Sequence, residues 1–354
     1  YLLQFKTALW SSVANYDLSV VPLFVLMGFL AAETGLSRDL FQGLSALTRK
    51  VKGGVAMATV LACAGFGAVS GSSIATASTM SRVALPELRR LNYHEGLSTG
   101  VLAAGGTLGI LIPPSILAIL YAVVAQQSVG ELYLGSVIPG VLLSSLYVFY
   151  VWIRAKLNPE LGPPIPKEER IGLKDKLLLL KDLIAPLILV FLVLGLLFGG
   201  IATPVEAAGI GSFGAILVAM KHKVFTIATL RDASVTTAKA SAMVLWIMFG
   251  ASVFVGFYIL QGGQDFITES ILGTGLPAYG ILFLLMVLLV VLGMFLDWVG
   301  ILLLAVPIFI PIVEALEFPG LFGLPGVSGD DVVLWFGVLY LVNMQMSFLS
   351  PRFG

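Results

Sequence analysis

The sequence predicts an all-α integral membrane protein folded as an inverted structural repeat, with two re-entrant helical hairpins and two broken transmembrane helices. Three observations carry this expectation. Of 354 residues, 58% are hydrophobic and only 11% charged, against about 45–50% and about 25% in soluble domains, so the solvent is lipid. The basic residues fall in a few clusters that need one common side of the membrane. The order of apolar elements recurs in the two halves of the chain.

The seven candidate spans are Leu18–Thr34, Leu97–Ala125, Leu132–Ile153, Leu183–Gly199, Ala202–Met220, Ser241–Leu260 and Val332–Gly354. Each approaches the roughly 20 apolar residues that cross a hydrocarbon core of about 30 Å. Gly54–Leu85 and Pro277–Val313 fit badly, because each has a polar or glycine-rich middle. The clusters Arg38 to Lys52, Arg82 to Arg90, Arg154 to Lys181 and Lys221 to Lys239 can all be cytoplasmic only if Gly54–Leu85 enters and leaves by one face. Past Lys239 the next basic residue is Arg352, while Asp265, Glu269, Glu314, Glu317, Asp330 and Asp331 flank Pro277–Val313. That segment is therefore a hairpin from the opposite side. A limb of about 15 residues reaches roughly 22 Å, too short to cross, so the two tips are expected near the midplane. The alternative is one long tilted helix over Gly54–Leu85 with its small residues as packing surface, which would strand one basic cluster outside.

The chain divides into a first half, 1–153, holding a span, the hairpin 54–85, the broken span 97–125 and the span 132–153. A proline-rich cytoplasmic connector follows at 154–182, with an interfacial helix from Leu173. The second half, 183–354, holds two spans, an amphipathic surface helix at 224–240, the span 241–260, the hairpin 277–313 and the broken span 332–354. Inverted repeats with broken helices point to secondary transport, with the site at the repeat interface.

Both hairpin turns offer chemistry. Backbone that turns inside a membrane must satisfy its own polar groups or line a wet cavity. The first tip, Val69-Ser70-Gly71-Ser72-Ser73, supplies hydroxyls and freed carbonyls suited to a hard cation, and N–H groups of the return helix suited to an anion. Opposite it, Gly105-Gly106-Thr107-Leu108-Gly109 followed by Pro113-Pro114-Ser115 cannot remain regular helix, so carbonyls are released; a proline kink without a ligand is the plainer reading. The second tip, Gly293 to Gly300, holds Asp297 deep in an apolar segment, where an ionisable group costs about 2.5–3.5 kcal/mol and usually lines an ion or substrate path. Capping of the return helix is its compatible structural role. Glu206, behind Thr203-Pro204, reads as a first-turn capping carboxylate. Arg352, beside the last break, could meet an anion or impair a site.

Other chemistries have little support. The 20 basic residues balance the 20 acidic ones, so neither nucleic acid nor another polyanion is indicated. The single Cys63 allows no internal disulfide or thiolate metal site. His94 and His222 lie among basic loop residues without acidic or cysteine companions, so no catalytic residue and no transition metal are expected.

Pro22-Leu23-Phe24-Val25-Leu26-Met27-Gly28, Val69 to Ser73, Ile112-Pro113-Pro114-Ser115, Val137-Ile138-Pro139-Gly140, Ala202-Thr203-Pro204-Val205-Glu206-Ala207-Ala208, Phe295-Leu296-Asp297, and Ser350-Pro351 through Phe353-Gly354 resemble, in order and through nearly the whole chain, the large membrane subunit of tripartite ATP-independent periplasmic (TRAP) transporters. The resemblance implies a bacterial inner-membrane, sodium-driven importer of small organic carboxylate anions, moving its hairpins and broken helices as an elevator. It implies as partners a small membrane subunit and a periplasmic substrate-binding protein, with sodium as the coupling ion and no organic cofactor. By similarity, one sodium site uses Ser70, Gly71 and Ser72 with carbonyls around Gly106, Thr107 and Gly109. The other uses Gly293 and Asp297 with Gln345, Met346 and Ser347. Ser73, Pro113, Pro114, Ser115, Ser350, Pro351 and Arg352 are the matching candidates for substrate contact. Two features depart from the family: Arg352 stands where a second proline is usual, and a chain running from Tyr1 to Gly354 lacks one helix at each end, so a longer protein is expected. A stand-alone sodium/dicarboxylate symporter and a non-transporting scaffold subunit are the competing readings. Which anion is carried is not legible, because selection resides largely in the binding protein.

Overall fold

The computed structural model describes residues 10, 14–166, 172–320, 325–329 and 331–349. Among them are fifteen α-helices. Helix α1 (Val20–Glu33) bends by 63° into α2 (Leu36–Thr48) at Gly35, whose φ of 82° is open only to residues that tolerate the left-handed region. Then come α3 (Gly54–Ser70), α4 (Ser73–Arg90), α5 (Glu95–Thr107) with a 3₁₀ turn at Leu108–Ile110, α6 (Ile116–Ala125) and α7 (Val129–Leu157). The second half of the chain runs through α8 (Leu173–Asp182), α9 (Ile184–Phe198), α10 (Pro204–Lys221), α11 (Ile227–Leu260), α12 (Gly263–Leu272), α13 (Ala278–Gly293), α14 (Trp298–Glu314) and α15 (Asp331–Phe348).

Burial separates two kinds of helix. Helices α7 and α9 expose Ile138 (76%), Phe149 and Phe191 (70%), a display of apolar surface that water would punish and lipid does not. Helix α3 is instead buried along most of its length, from Gly54 to Val60 and again from Phe66 to Ser70. Among the described residues, by length and composition, five helices can cross a membrane, or six if the bent pair α1–α2 counts as one span.

The hairpins are real, and hydrogen bonds at their bases prove it. At the foot of the first, the Val55 N–H donates to the Tyr93 hydroxyl at 3.3 Å, so the start of α3 and the end of α4 lie side by side. A single long helix over Gly54–Leu85 is thereby ruled out. At the foot of the second, the Tyr279 hydroxyl donates to the Pro319 carbonyl at 2.6 Å, and its ring meets Phe318 edge-on at 5.4 Å. The limbs contain 17, 18, 16 and 17 residues, hence about 24–27 Å each, short of a full crossing.

Several boundaries differ from the sequence reading. The surface helix 224–240 and the span 241–260 are one helix, α11, of 34 residues. No glycine or proline occurs between Ile227 and Phe249 to stop it, and at about 51 Å it overreaches the hydrocarbon core. Helix α12 was not anticipated. Helix α15 is regular to Phe348; the break expected within 332–354, at Ser350, Pro351 and Arg352, lies outside the described residues. The connector does form a helix from Leu173, as expected.

Two compact units emerge, and they do not follow the two sequence halves. One comprises Pro22–Ile116 and Ser136–Thr237; the other comprises Tyr1–Val21, Leu117–Gly135 and Ala238–Gly354. The reason Leu117–Gly135 joins the latter is packing on α15. Tyr121 stacks on Tyr340 at 5.7 Å and donates to the Val333 carbonyl at 2.8 Å, while a Cβ added to Gly135 would come within 2.8 Å of Val338 Cγ2.

Candidate functional site

The first tip is built by two opposed caps. Helix α3 stops because Gly71 takes φ +60°, with its N–H on the Gly67 carbonyl at 2.8 Å. Helix α4 starts on Ser72, whose hydroxyl accepts from the Ala75 N–H at 3.4 Å. Three oxygens collect between the caps. Thr76 Oγ1 donates to the Ser72 carbonyl at 2.7 Å and lies 2.7 Å from Ser70 Oγ, which is 3.4 Å from the same carbonyl. Ser70, Ser73 and Thr76 are buried.

The broken helix closes over this triangle. A Cβ added to Gly109 would come within 2.7 Å of Thr76 Oγ1 and 2.8 Å of the Ser72 carbonyl, and one added to Gly106 within 2.7 Å of the Ala77 Cβ. Glycine is therefore what lets the two backbones touch. The gap 111–115 contains the cis Pro113–Pro114 bond and is anchored to the tip: the Ile116 N–H donates to the Gly71 carbonyl at 3.2 Å, and Ser115 Oγ donates to the Ile110 carbonyl at 2.5 Å. Gly109 thus lies against Ser72 and Thr76 of the turn that holds Ser70 and Gly71, while Gly106 lies against Ala77. The Thr107 hydroxyl does not join them; it turns back to the Ala104 carbonyl at 2.8 Å.

At the second tip, residues 294–297 separate α13 from α14, and Asp297 caps α14 by accepting from the Val299 N–H at 3.2 Å. A cavity of about 10 Å³, room for one water-sized species, is lined by Gly293, Asp297, Trp298, Met344 and Ser347 among others. Gly293 is so close to α15 that an added Cβ would overlap Ser347 Oγ. That hydroxyl and Gln345 Oε1 are buried without a hydrogen-bond partner among the described residues. Buried polar oxygens are seldom left so. The Met346 side chain is exposed and its carbonyl accepts from the Leu349 N–H at 3.2 Å.

The donors at both tips are hydroxyl, carbonyl, amide and carboxylate oxygens, the set that suits a hard cation. Glu206 forms a complete capping box, its Oε2 accepting from the Thr203 N–H at 2.8 Å, and so is structural. Two residues escaped the sequence reading. Thr76 lies four residues past Ser72 and hence on the same helical face. Asn343, whose Nδ2 donates to the Met286 carbonyl at 2.9 Å, holds α15 to α13, and a polar residue inside an apolar span was its signal.

A family model described as the tripartite ATP-independent periplasmic transporter, DctM component, matches residues 3–354. The C4-dicarboxylate TRAP transporter large permease protein DctM of Rhodobacter capsulatus is 30% identical over 363 residues, covering 98% of this chain and 78% of the relative. The isethionate TRAP transporter permease protein DctMQ of Oleidesulfovibrio alaskensis is 29% identical, covering 98% of this chain and 52% of the relative. Among solved structures, the Alcanivorax borkumensis YdaH transporter shares the fold, with TM-score 0.62 at 16% identity over 99% of this chain and 79% of that one.

Proposed function

We propose a function from one premise: the chain belongs to the DctM component family of tripartite ATP-independent periplasmic transporters. It is then a multi-pass inner-membrane transporter subunit and not an enzyme. Beyond that coarse assignment, the reading is a sodium-coupled importer of small organic anions, fed by a periplasmic binding protein and working with a small membrane subunit. The name DctMQ of one relative supports the second partner. Relatives named for C4-dicarboxylates and for isethionate support an anionic, carboxylate or sulfonate, cargo.

The observation that carries sodium coupling is the unpaired, buried Ser347 hydroxyl facing Gly293 beside the Asp297 carboxylate, in a space for one small species. A cation there would satisfy the hydroxyl and the charge together. At the first tip a second cation would be served by Ser70 Oγ, the Ser72 carbonyl and Thr76 Oγ1. Cation binding would draw each hairpin turn against the helix that faces it, fixing the backbone that meets the anion before the hairpins move as an elevator. Ser73, Pro113, Pro114 and Ser115 flank the first turn and remain the candidates for anion contact, together with Ser350, Pro351 and Arg352, which lie outside the described residues.

The test is uptake into proteoliposomes holding the subunit complex, with an imposed sodium gradient, with and without the purified binding protein. Uptake should require both, and Asp297→Asn should weaken the dependence on sodium while the protein still folds. Uptake without the receptor would overturn the three-component reading in favour of a stand-alone symporter. Sodium titrations that coincide for parent and Asp297→Asn would remove Asp297 from the site.

A further inference from the structure

Helix α1 supplies no oxygen to either turn, yet it lies directly against the first. Gly28 is buried, and a Cβ added to it would come within 3.0 Å of both the Cα and the carbonyl oxygen of Ser70, and within 3.3 Å of the Ser70 Cβ. That contact is with backbone, which cannot swing aside as the end of a side chain can. Facing Thr76 instead, a Cβ added to Gly109 would come within 2.7 Å of its Oγ1. Ser70 Oγ and Thr76 Oγ1 stand 2.7 Å apart, and each residue is thus backed by a helix that approaches through glycine.

Helix α1 is itself braced. Ser212 Oγ of α10 donates to the Leu23 carbonyl at 2.7 Å, and a Cβ added to Gly211 would overlap Met27 Sδ. Leu23 and Met27 are one turn apart, and Gly28 is turned from them by about 100–140° around the helix, so α10 holds one flank of α1 while another meets Ser70. We propose that Gly28 is a positioning residue for the first cation site, where the lack of a side chain sets the place of Ser70. This rests on the cation reading of the first turn. Ligand distances in such sites are matched to within about 0.2 Å, whereas a methyl 3.0 Å from backbone forces a shift of a few tenths of an ångström. Gly28→Ala therefore carries Ser70 Oγ off its ligand distance and leaves every ligand's chemistry intact.

The test is the sodium-linked rise in unfolding temperature of the intact extracted protein, titrated in the Asp297→Asn background so that the first turn is what responds. Gly28→Ala should raise the half-saturating sodium concentration about tenfold, the low end for residues that orient metal ligands. Gly43→Ala on α2, whose Cβ would come within 2.6 Å of Leu183 Cγ, crowds a contact that does not include Ser70; it should destabilise the protein and leave the titration unchanged. Ser212→Ala frees α1 from α10 and should also raise the half-saturating concentration. In the Gly28→Ala background it should recover part of the affinity, because α1 can then retreat, whereas general damage to the fold would only accumulate. Coincident titrations of Gly28→Ala and its background overturn the proposal, and so does an equal shift in Gly43→Ala. Should Gly28→Ala not fold, a Ser212→Ala titration that coincides with the background overturns it. A parent protein whose unfolding ignores sodium overturns the cation reading itself, and a parent that responds while Asp297→Asn alone does not removes the first turn as a site, and this role of Gly28 with it.

Discussion

Replacing Gly109 by alanine places a methyl 2.7 Å from Thr76 Oγ1 and 2.8 Å from the Ser72 carbonyl. Neither partner can retreat, because one is backbone and the other is hydrogen-bonded to it. The expected cost is about 1–3 kcal/mol of overpacking, read as a lowered midpoint of thermal unfolding in detergent. Gly100→Ala on the same helix is the control. Nothing lies within 4 Å of its added Cβ, so the change should stabilise by up to about 1 kcal/mol through helix propensity. Ser347 makes the opposite kind of case. Its hydroxyl is buried and unpaired among the described residues, so Ser347→Ala removes a desolvated group worth about 1–3 kcal/mol. Without sodium the variant should be as stable as the parent or more so. With sodium, the ligand-linked rise in unfolding temperature should be present in the parent and reduced in the variant; an identical rise in both would show that Ser347 is no ligand.

At the scale of elements, the hairpins depend on how their feet are tied. Tyr93→Phe leaves the Val55 N–H, at the buried start of α3, without its acceptor, and should cost about 1–3 kcal/mol. Tyr279→Phe at the other foot removes an exposed donor from the Pro319 carbonyl, which water can replace, so its cost should be well below that of Tyr93→Phe. Thermal unfolding of the two variants compares them directly. Where α2 meets the loop after α10, the Asp39 carboxylate lies 3.8 Å from His222 Nε2 with its Oδ2 buried. Burial raises its pKa above the usual carboxylate value, and Asp182 adds to this; His222, Arg38 and Lys221 pull it down. The folded protein therefore holds this proton more tightly than the unfolded chain. The contribution is stabilising below about pH 3.9 and is lost as pH rises through the raised folded value. Asp39→Asn should flatten that fall in an unfolding series from pH 4 to 7; an unchanged slope would show the carboxylate to be well solvated.

The same elements mark where sequence reasoning runs out. Both hairpins and the break at Pro113-Pro114 were legible because charge, glycine and proline act locally and cannot be overridden cheaply. The fusion of 224–240 with 241–260 was not, since polarity changes along α11 while helix propensity does not, and only the latter decides where a helix stops. At the site, Ser70, Ser72 and Asp297 announced themselves by type and depth. Thr76 did not, because its role comes from lying one turn beyond a cap whose position depended on Gly71 being left-handed.

For the whole molecule, the sidedness of the hairpins rests on charge. Every cluster of arginine and lysine up to Lys239 shares a side only if α3 and α4 dip from the cytoplasm, and the acidic residues around α13 and α14 then face the periplasm. Thiol labelling can decide this, because the native Cys63 is buried and contributes no background. Lys52→Cys and Arg89→Cys, at exposed positions flanking the first hairpin, should react with an impermeant maleimide only when the cytoplasmic face is open. Thr274→Cys and Glu317→Cys, exposed at the feet of the second, should react from the periplasmic side of intact spheroplasts. If the two flanks of either pair label from different compartments, that segment crosses the membrane, the repeat is no longer inverted, and the proposed coupling of two cation sites to one anion path has no structural basis.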